Sequence, residues 1–136
     1  MSQIDPVLPE GWLRPSGYSH GLVVDGGREV HVAGQFAWDP QTGKCVDGGF
    51  VAQWDKALEN VVAVIRAAGG SGQDIIALRI YVLDIDDYRE GPKDRFGAAW
   101  VKHIGKWFPA VTMVQVGGLE DPDALIEIEA VARMGQ

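Results

Sequence analysis

Two carboxylates, Glu127 and Glu129, stand two residues apart in a β-prone run from Leu125 to Ala132. On a strand that spacing brings both to one face, roughly 6–7 Å apart. On a half-buried face, mutual repulsion and lost hydration raise at least one pKa, which suits a general acid or base. The competing assignment is structural: each carboxylate pairs with a base such as Arg79, which also lies on a mixed strand face. Spacing alone leaves both open.

The remaining reactive residue types form no constellation. His20, His31 and His103 are scattered with no His-x-x-x-His pattern, so no metal site is expected. Ser19 and His20 are adjacent, and neighbours on an extended chain point apart rather than forming a nucleophile–base pair. The single cysteine, Cys45, reads as an incidental thiol beside the turn-rich stretch Asp39 to Lys44. Gly69-Gly70-Ser71-Gly72 follows a helical pattern and lacks Gly-Lys-Ser/Thr, so it reads as a helix cap and not a phosphate loop. There is no Gly-x-Ser-x-Gly elbow and no dinucleotide-binding glycine pattern.

The elements that must position the carboxylates follow from hydrophobic period. Leu22 to Val24 and Glu29 to Val32 flank Asp25-Gly26-Gly27 and predict a hairpin. A loop runs from Trp38 to Gly49. Trp54, Leu58, Val61 and Ile65 recur at helical spacing, predicting a helix over Phe50 to Ala68 that Gly69-Gly70 ends. Ile75 to Leu83 reads as a strand, with Ile76, Leu78, Ile80 and Val82 on one face and Ile75, Ala77, Arg79 and Tyr81 on the other. A second helix is predicted from Gly91 or Pro92 to His103, anchored by Phe96 and Trp100. Strands Ala110 to Val116 and Leu125 to Ala132 close the chain.

The order ββαβαββ describes an α+β domain: one sheet covered on one face by two helices. The other face carries Tyr81, Met113 or its neighbours, and the paired acids. That mixture is too apolar for open water and too polar for a dry core, so an oligomer with clefts between subunits is expected.

Composition fits this frame. With 136 residues, 46% hydrophobic and 23% charged, the chain reads as one domain over residues 1–136, with 1–15 a lead-in segment. Met1 to Trp12 is the one stretch that does not read as ordered. Nineteen acids against 12 bases leave a net charge of -7, which disfavours nucleic acid and anionic membrane as partners. No apolar run reaches the ~18 residues of a span, and no basic-then-apolar leader is evident, so a cytoplasmic location is expected.

Several segments carry a resemblance in register. Pro109 to Val116, then Leu119, then Ile126-Glu127-Ile128-Glu129-Ala130 resemble the C-terminal signature of the Rid (reactive intermediate deaminase) family. Gly17-Tyr18-Ser19 resembles its tyrosine segment. Val32-Ala33-Gly34-Gln35 followed by Asp39 to Gly43 resembles its second strand and loop. Ala57 to Val61 and Ala67 to Gly70 resemble its first helix and cap. The resemblance implies a chorismate-mutase-like fold, a homotrimer with ligand clefts between subunits, and hydrolysis of enamines and imines such as 2-aminoacrylate to keto acids and ammonia without a cofactor.

Carried over residue by residue, Glu127 falls on the family's water-positioning glutamate and Tyr18 on its tyrosine. Gly34 and Gln35 fall on the strand that edges the cleft. Lys93 aligns with an asparagine of the second helix, and Met113 with a small or cysteine position. The arginine that grips the substrate carboxylate is Val111 here. Hydrogen bonds to charged groups contribute roughly 1.5–3 kcal/mol, so losing a bidentate pair weakens binding of a small imino acid by at least ~10–100-fold. One implied reading is an enamine/imine deaminase with altered substrate preference, for a larger compound or a ring-cleavage product such as an aminomuconate. Glu127 would position water, and Lys93, Arg79 or His20 would replace the anchor. The alternative is a non-catalytic trimeric member that binds a small metabolite or a partner in the same cleft. A third, nuclease or translation inhibitor, needs phosphate contacts that this acidic chain does not display.

Overall fold

The computed structural model describes residues 3–135. Helix α1 (Gly49–Ala67) forms where the apolar spacing predicts it, and Trp54, Leu58, Val61 and Ile65 are all buried. It ends in a Schellman cap: Gly69, at φ 101°, donates to the Arg66 carbonyl and Gly70 to that of Ile65. Ser71 and Asp74 then bond reciprocally around one 3₁₀ turn, so the glycine-rich stretch serves as a cap throughout.

Strands β3 (Arg28–Phe36), β4 (Ile75–Val82), β5 (Ala110–Gln115) and β6 (Ile126–Met134) form one mixed sheet in the order β3-β6-β4-β5. The β4–β5 pair is parallel and the other two pairs are antiparallel. The crossover between β4 and β5 carries a short helix α2 (Ile85–Arg89) and helix α3 (Lys93–His103). Helices α1 and α3 cover one face, burying Leu58, Ile65, Leu78, Ile80, Ile126 and Ile128 completely. Each such side chain contributes roughly 1.5–3 kcal/mol of hydrophobic stabilisation. The His103 ring of α3 meets the Asp55 carboxylate of α1 and pins the two helices together. Burial alone would raise the Asp55 carboxyl, but the hydrogen bond and charge of His103, with Lys102 nearby, outweigh it and hold it low.

The opposite face has no helix. Alternation puts Arg79 and Tyr81 of β4, Thr112 and Val114 of β5, and Glu127 and Glu129 of β6 there. Met113 is on the helix side instead, level with Ile80 in the parallel register; its neighbours Thr112 and Val114 occupy the open face.

Four expectations need correction. Ile75 is fully buried and not on the open face, because a bulge between Ile75 and Ala77 shifts the alternation by one residue. The hairpin does not form: Gly21–Asp25 (β2) pairs with Gln3–Val7 (β1) in a separate two-stranded ribbon, and β3 pairs with β6. The lead-in segment is therefore ordered from Gln3, its Pro6 tolerated because a ribbon edge needs no further donor. Helix α2 was hidden in a short acidic run; Asp84 caps it by accepting from the Asp86 N–H at 3.0 Å.

Two buried amides of α1 hold the strands that carry the candidate residues. Asn60 donates to the carbonyls of Phe36 (3.1 Å) and Trp38 (2.9 Å), at the end of β3. Gln53 donates to the Asp123 carbonyl (3.0 Å) and accepts from the Leu125 N–H (2.7 Å), at the entry to β6. Asn60→Ala is expected to cost roughly 1–3 kcal/mol in chemical denaturation, because both carbonyls lose their donor in a site closed to water. A loss below about 0.5 kcal/mol would mean that water reaches them.

Candidate functional site

The residues singled out in the sequence fall into two groups on opposite faces of the sheet. On the helix side, Val111 and Met113 line a cavity of about 500 Å³ walled by Trp54, Tyr88, Phe96, Trp100 and Phe108. Tyr18 and Ser16 form its rim. Tyr18 is brought there by Ser19, whose N–H donates to the Pro109 carbonyl (2.9 Å) and whose hydroxyl donates to that of Phe108 (2.6 Å). A residue remote in sequence is thereby stapled to the start of β5.

The second group is on the open face. The pairing of β3 with β6 slips between Val32 and Gln35, a bulge that places Gly34 against the Glu127 side chain. A Cβ at Gly34 would lie 2.5 Å from Glu127 Oε2 and 2.9 Å from its Cδ, so the glycine makes the space in which the carboxylate sits. Gln35 is tied down, accepting from Trp38 Nε1 at 3.0 Å and donating to the Ala33 carbonyl at 3.2 Å.

The two glutamates have different surroundings. Glu129 accepts a hydrogen bond from the Tyr81 hydroxyl, which in turn raises the Tyr81 pKa. Arg79 is directly across from Glu129 in register, yet among the described residues neither Glu127 nor Glu129 makes an ion pair. Glu127 is left half-buried without a cation. Burial, then the charges of Glu120 and Glu129, push its pKa above the ordinary glutamate value. A carboxyl so tuned exchanges protons nearer neutrality, which is what a general base acting through water requires.

Lys93 is not in the lining of the cavity, though it packs against two of its walls, Tyr88 and Phe96. Its ammonium donates to the carbonyls of Tyr88 and Arg89 (2.7 Å to the latter), closing the C-terminus of α2, and stands 4.8 Å over the Tyr88 ring. Arg79 and His20 border a smaller recess of about 230 Å³ that also touches Tyr18 and Val111. Among the described residues, no group of three or more His, Cys, Asp and Glu is placed to hold a metal ion.

Residues 13–134 match the family profile described as Endoribonuclease L-PSP. The chain belongs to the Rid family. It is 30% identical to the human 2-iminobutanoate/2-iminopropanoate deaminase over 118 residues, covering 87% of this chain and 80% of that one. The solved Rid-family protein YyfB of Yersinia pestis superposes with a TM-score of 0.79 at 32% identity, over 96% of this chain and 98% of its own. TdcF of E. coli, solved with bound serine, gives 0.70 at 32% identity, over 96% and 94%. The fold is accordingly the chorismate-mutase-like α+β fold of the Rid proteins.

Within this Rid domain the sequence reading missed what shapes the cavity. Trp54, Phe96 and Trp100 are core anchors by period, but each also shows a face to the cavity, and Tyr88 comes from the unpredicted helix α2. The one available signal was Gly97, an otherwise unexplained glycine within the α3 pattern; a Cβ there meets nothing within 4 Å.

Glu127→Gln is expected to raise the melting temperature at neutral pH. A carboxyl whose folded pKa is raised above its unfolded value destabilises the fold wherever it is ionised, so removing the charge stabilises. The gain shrinks as pH falls through the Glu127 pKa, where the native carboxyl is already protonated. Thermal melts of both proteins between about pH 4 and pH 8 check this; a variant that melts lower at neutral pH would show that the carboxylate makes stabilising contacts instead.

Proposed function

We propose that this protein is a cytoplasmic enamine/imine deaminase, working in clefts between the subunits of a homotrimer, with a substrate preference altered by Val111. The observation that carries the reading is Glu127: half-buried, unpaired by any cation among the described residues, raised in pKa, and set over a glycine that leaves room beside it. A relative of 30% identity is named as a deaminase of small imino acids, which supports the reaction class. The oligomer is supported by geometry. Glu127 with Gly34 and the cavity with Val111 and Met113 are on opposite faces of one sheet, so a cleft using both needs two copies.

The chemistry balances with water alone. The water oxygen attacks the imine carbon, forming a C–O bond, as Glu127 takes the water proton and the C=N π electrons move to nitrogen. Glu127 returns that proton to nitrogen. The hydroxyl proton of the tetrahedral carbinolamine then passes to nitrogen, with Glu127 as the carrier; the C–N bond breaks, its electron pair leaving with ammonia, as an oxygen lone pair forms the carbonyl. No electrons are transferred to an acceptor, and the ligand, not nucleic acid or membrane, is the partner.

The second reading, a non-catalytic ligand-binding homologue, is favoured by Val111, which offers a carboxylate no hydrogen bond. An ammonia-release assay separates the two. Glu127→Gln is expected to lower turnover of an accepted imine by about 10²–10⁴-fold. The acid limb of the native pH profile is expected above the ordinary glutamate range of ~4.3, since the ionised carboxyl is the active form. Val111→Arg is expected to gain about 10–100-fold on 2-iminobutanoate. If Glu127→Gln leaves turnover intact, the glutamate mechanism is wrong; if no imine is turned over by either protein, the binding homologue stands.

A further inference from the structure

The cavity on the helix side is built for an apolar group. Its walls are the rings of Trp54, Tyr88, Phe96, Trp100 and Phe108. Both indole N–H groups are already engaged: Trp54 Nε1 donates to the Phe96 carbonyl at 3.1 Å and Trp100 Nε1 to that of Trp107 at 3.0 Å. They therefore present hydrocarbon faces and no donors. No lysine, arginine or histidine is in the described lining, and Lys93, whose ammonium stands over the Tyr88 and Phe96 rings, donates to carbonyls at the end of helix α2. The polar side chains of the lining are Ser16, Tyr18 and Tyr88.

Gly97 enlarges the space on the α3 side, where any side chain would enter an unfilled region. A volume of about 500 Å³ suits a ring-sized ligand and far exceeds what a three- or four-carbon imino acid fills. A carboxylate placed against Val111 would lose its hydration and meet no cation in return, only the hydroxyls of Ser16, Tyr18 and Tyr88, which is unfavourable.

We infer that the substrate of this site is an imine or enamine bearing an aromatic or similarly bulky apolar group and no carboxylate on the imine carbon, the apolar group occupying the cavity formed by Trp54, Tyr88, Phe96, Trp100, Val111 and Met113. The inference rests on the deaminase reading above for the word imine, and on the cavity alone for the apolar group. Gly97 is then a specificity-determining residue: its missing side chain is the room that the ligand takes.

Tryptophan emission reads binding directly, because Trp54 and Trp100 wall the cavity. The native protein, Gly97→Ala and Gly97→Leu are titrated with phenylacetone, phenylpyruvate and 2-oxobutanoate. Ammonia release is followed in parallel, with imines generated in place from phenylethylamine, phenylalanine and 2-aminobutanoate by the matching amine or amino-acid oxidases. Phenylacetone is expected to bind at least about 10-fold more tightly than 2-oxobutanoate, and Gly97→Leu to lose about 10-fold or more of that affinity while melting no lower than Gly97→Ala. Absence of saturable phenylacetone binding overturns the inference, whatever the small imino acids do. Tighter binding of phenylpyruvate, lost in Arg79→Ala, also overturns it, since the carboxylate would then be held in the recess beside Val111. Saturable phenylacetone binding with no imine hydrolysed faster than in buffer sustains the apolar site and sinks the deaminase reading.

Discussion

Strand alternation is the constraint on which the rest of this molecule depends. In β4, β5 and β6 successive side chains must go to opposite faces, and only one face has helices to cover it. Leu78, Ile80, Ile126 and Ile128 go down into the core, so Glu127, Glu129, Arg79 and Tyr81 must stand on the open side. Val111 and Met113 share the face of Leu78 and Ile80, which puts them against the helices and away from Glu127. A half-buried carboxyl and an apolar cavity are thereby separated by the thickness of the sheet within one subunit. A register slip of one residue would exchange the two sets and destroy the core, so the separation cannot drift.

Helix α1 turns that constraint into a fixed geometry. Its apolar side packs on the sheet, and its two buried amides, Gln53 and Asn60, grip backbone at the entry to β6 and the exit of β3. These are the strands that bring Glu127 and Gly34 together. Burying an amide costs free energy unless its hydrogen bonds are made; Gln53 uses both its donor and its acceptor, and Asn60 uses both hydrogens of its NH₂. Glu127 is the contrary case. Its carboxyl sits among other acids without a cation, a locally unfavourable arrangement that the core, with six fully buried Leu and Ile side chains named above, is large enough to offset. Glu129, two residues on, differs in having a hydroxyl donor in Tyr81.

The Rid fold here carries a cavity lined mainly by apolar and aromatic side chains. Val111 offers a carboxylate no hydrogen bond, and the surrounding indoles have their N–H groups engaged elsewhere. The chain is acidic overall, no charged side chain is in the described lining of the cavity, and the Glu127 carboxyl is on the opposite face of the sheet.

Much of this was written into the sequence because the signals are local. Helical spacing of Trp54, Leu58, Val61 and Ile65, the glycine cap after Ala68, the alternation of Ile126 to Ala130 and the pairing of Glu127 with Glu129 on one face all follow from residue types and periods within a few turns or strand pairs. The position of Val111 in its run, level with Leu78 on the helix side, was not legible there. What the sequence could not determine depends on contacts far apart along the chain. The bulge that sets Gly34 against Glu127, the shift that buries Ile75, the choice of β1 over β3 as the partner of β2, and the different neighbours of Glu127 and Glu129 arise from how strands settle against one another, with paired residues from 14 positions apart (Val7 and Gly21) to 106 (Arg28 and Met134). The cavity belongs to the same class. Trp54, Phe96 and Trp100 read as core by period, Tyr88 and Phe108 gave no such signal, and only the assembly of all five rings around the space beside Gly97 makes them cavity walls, because unfilled volume is a property of packed side chains and not of any one of them.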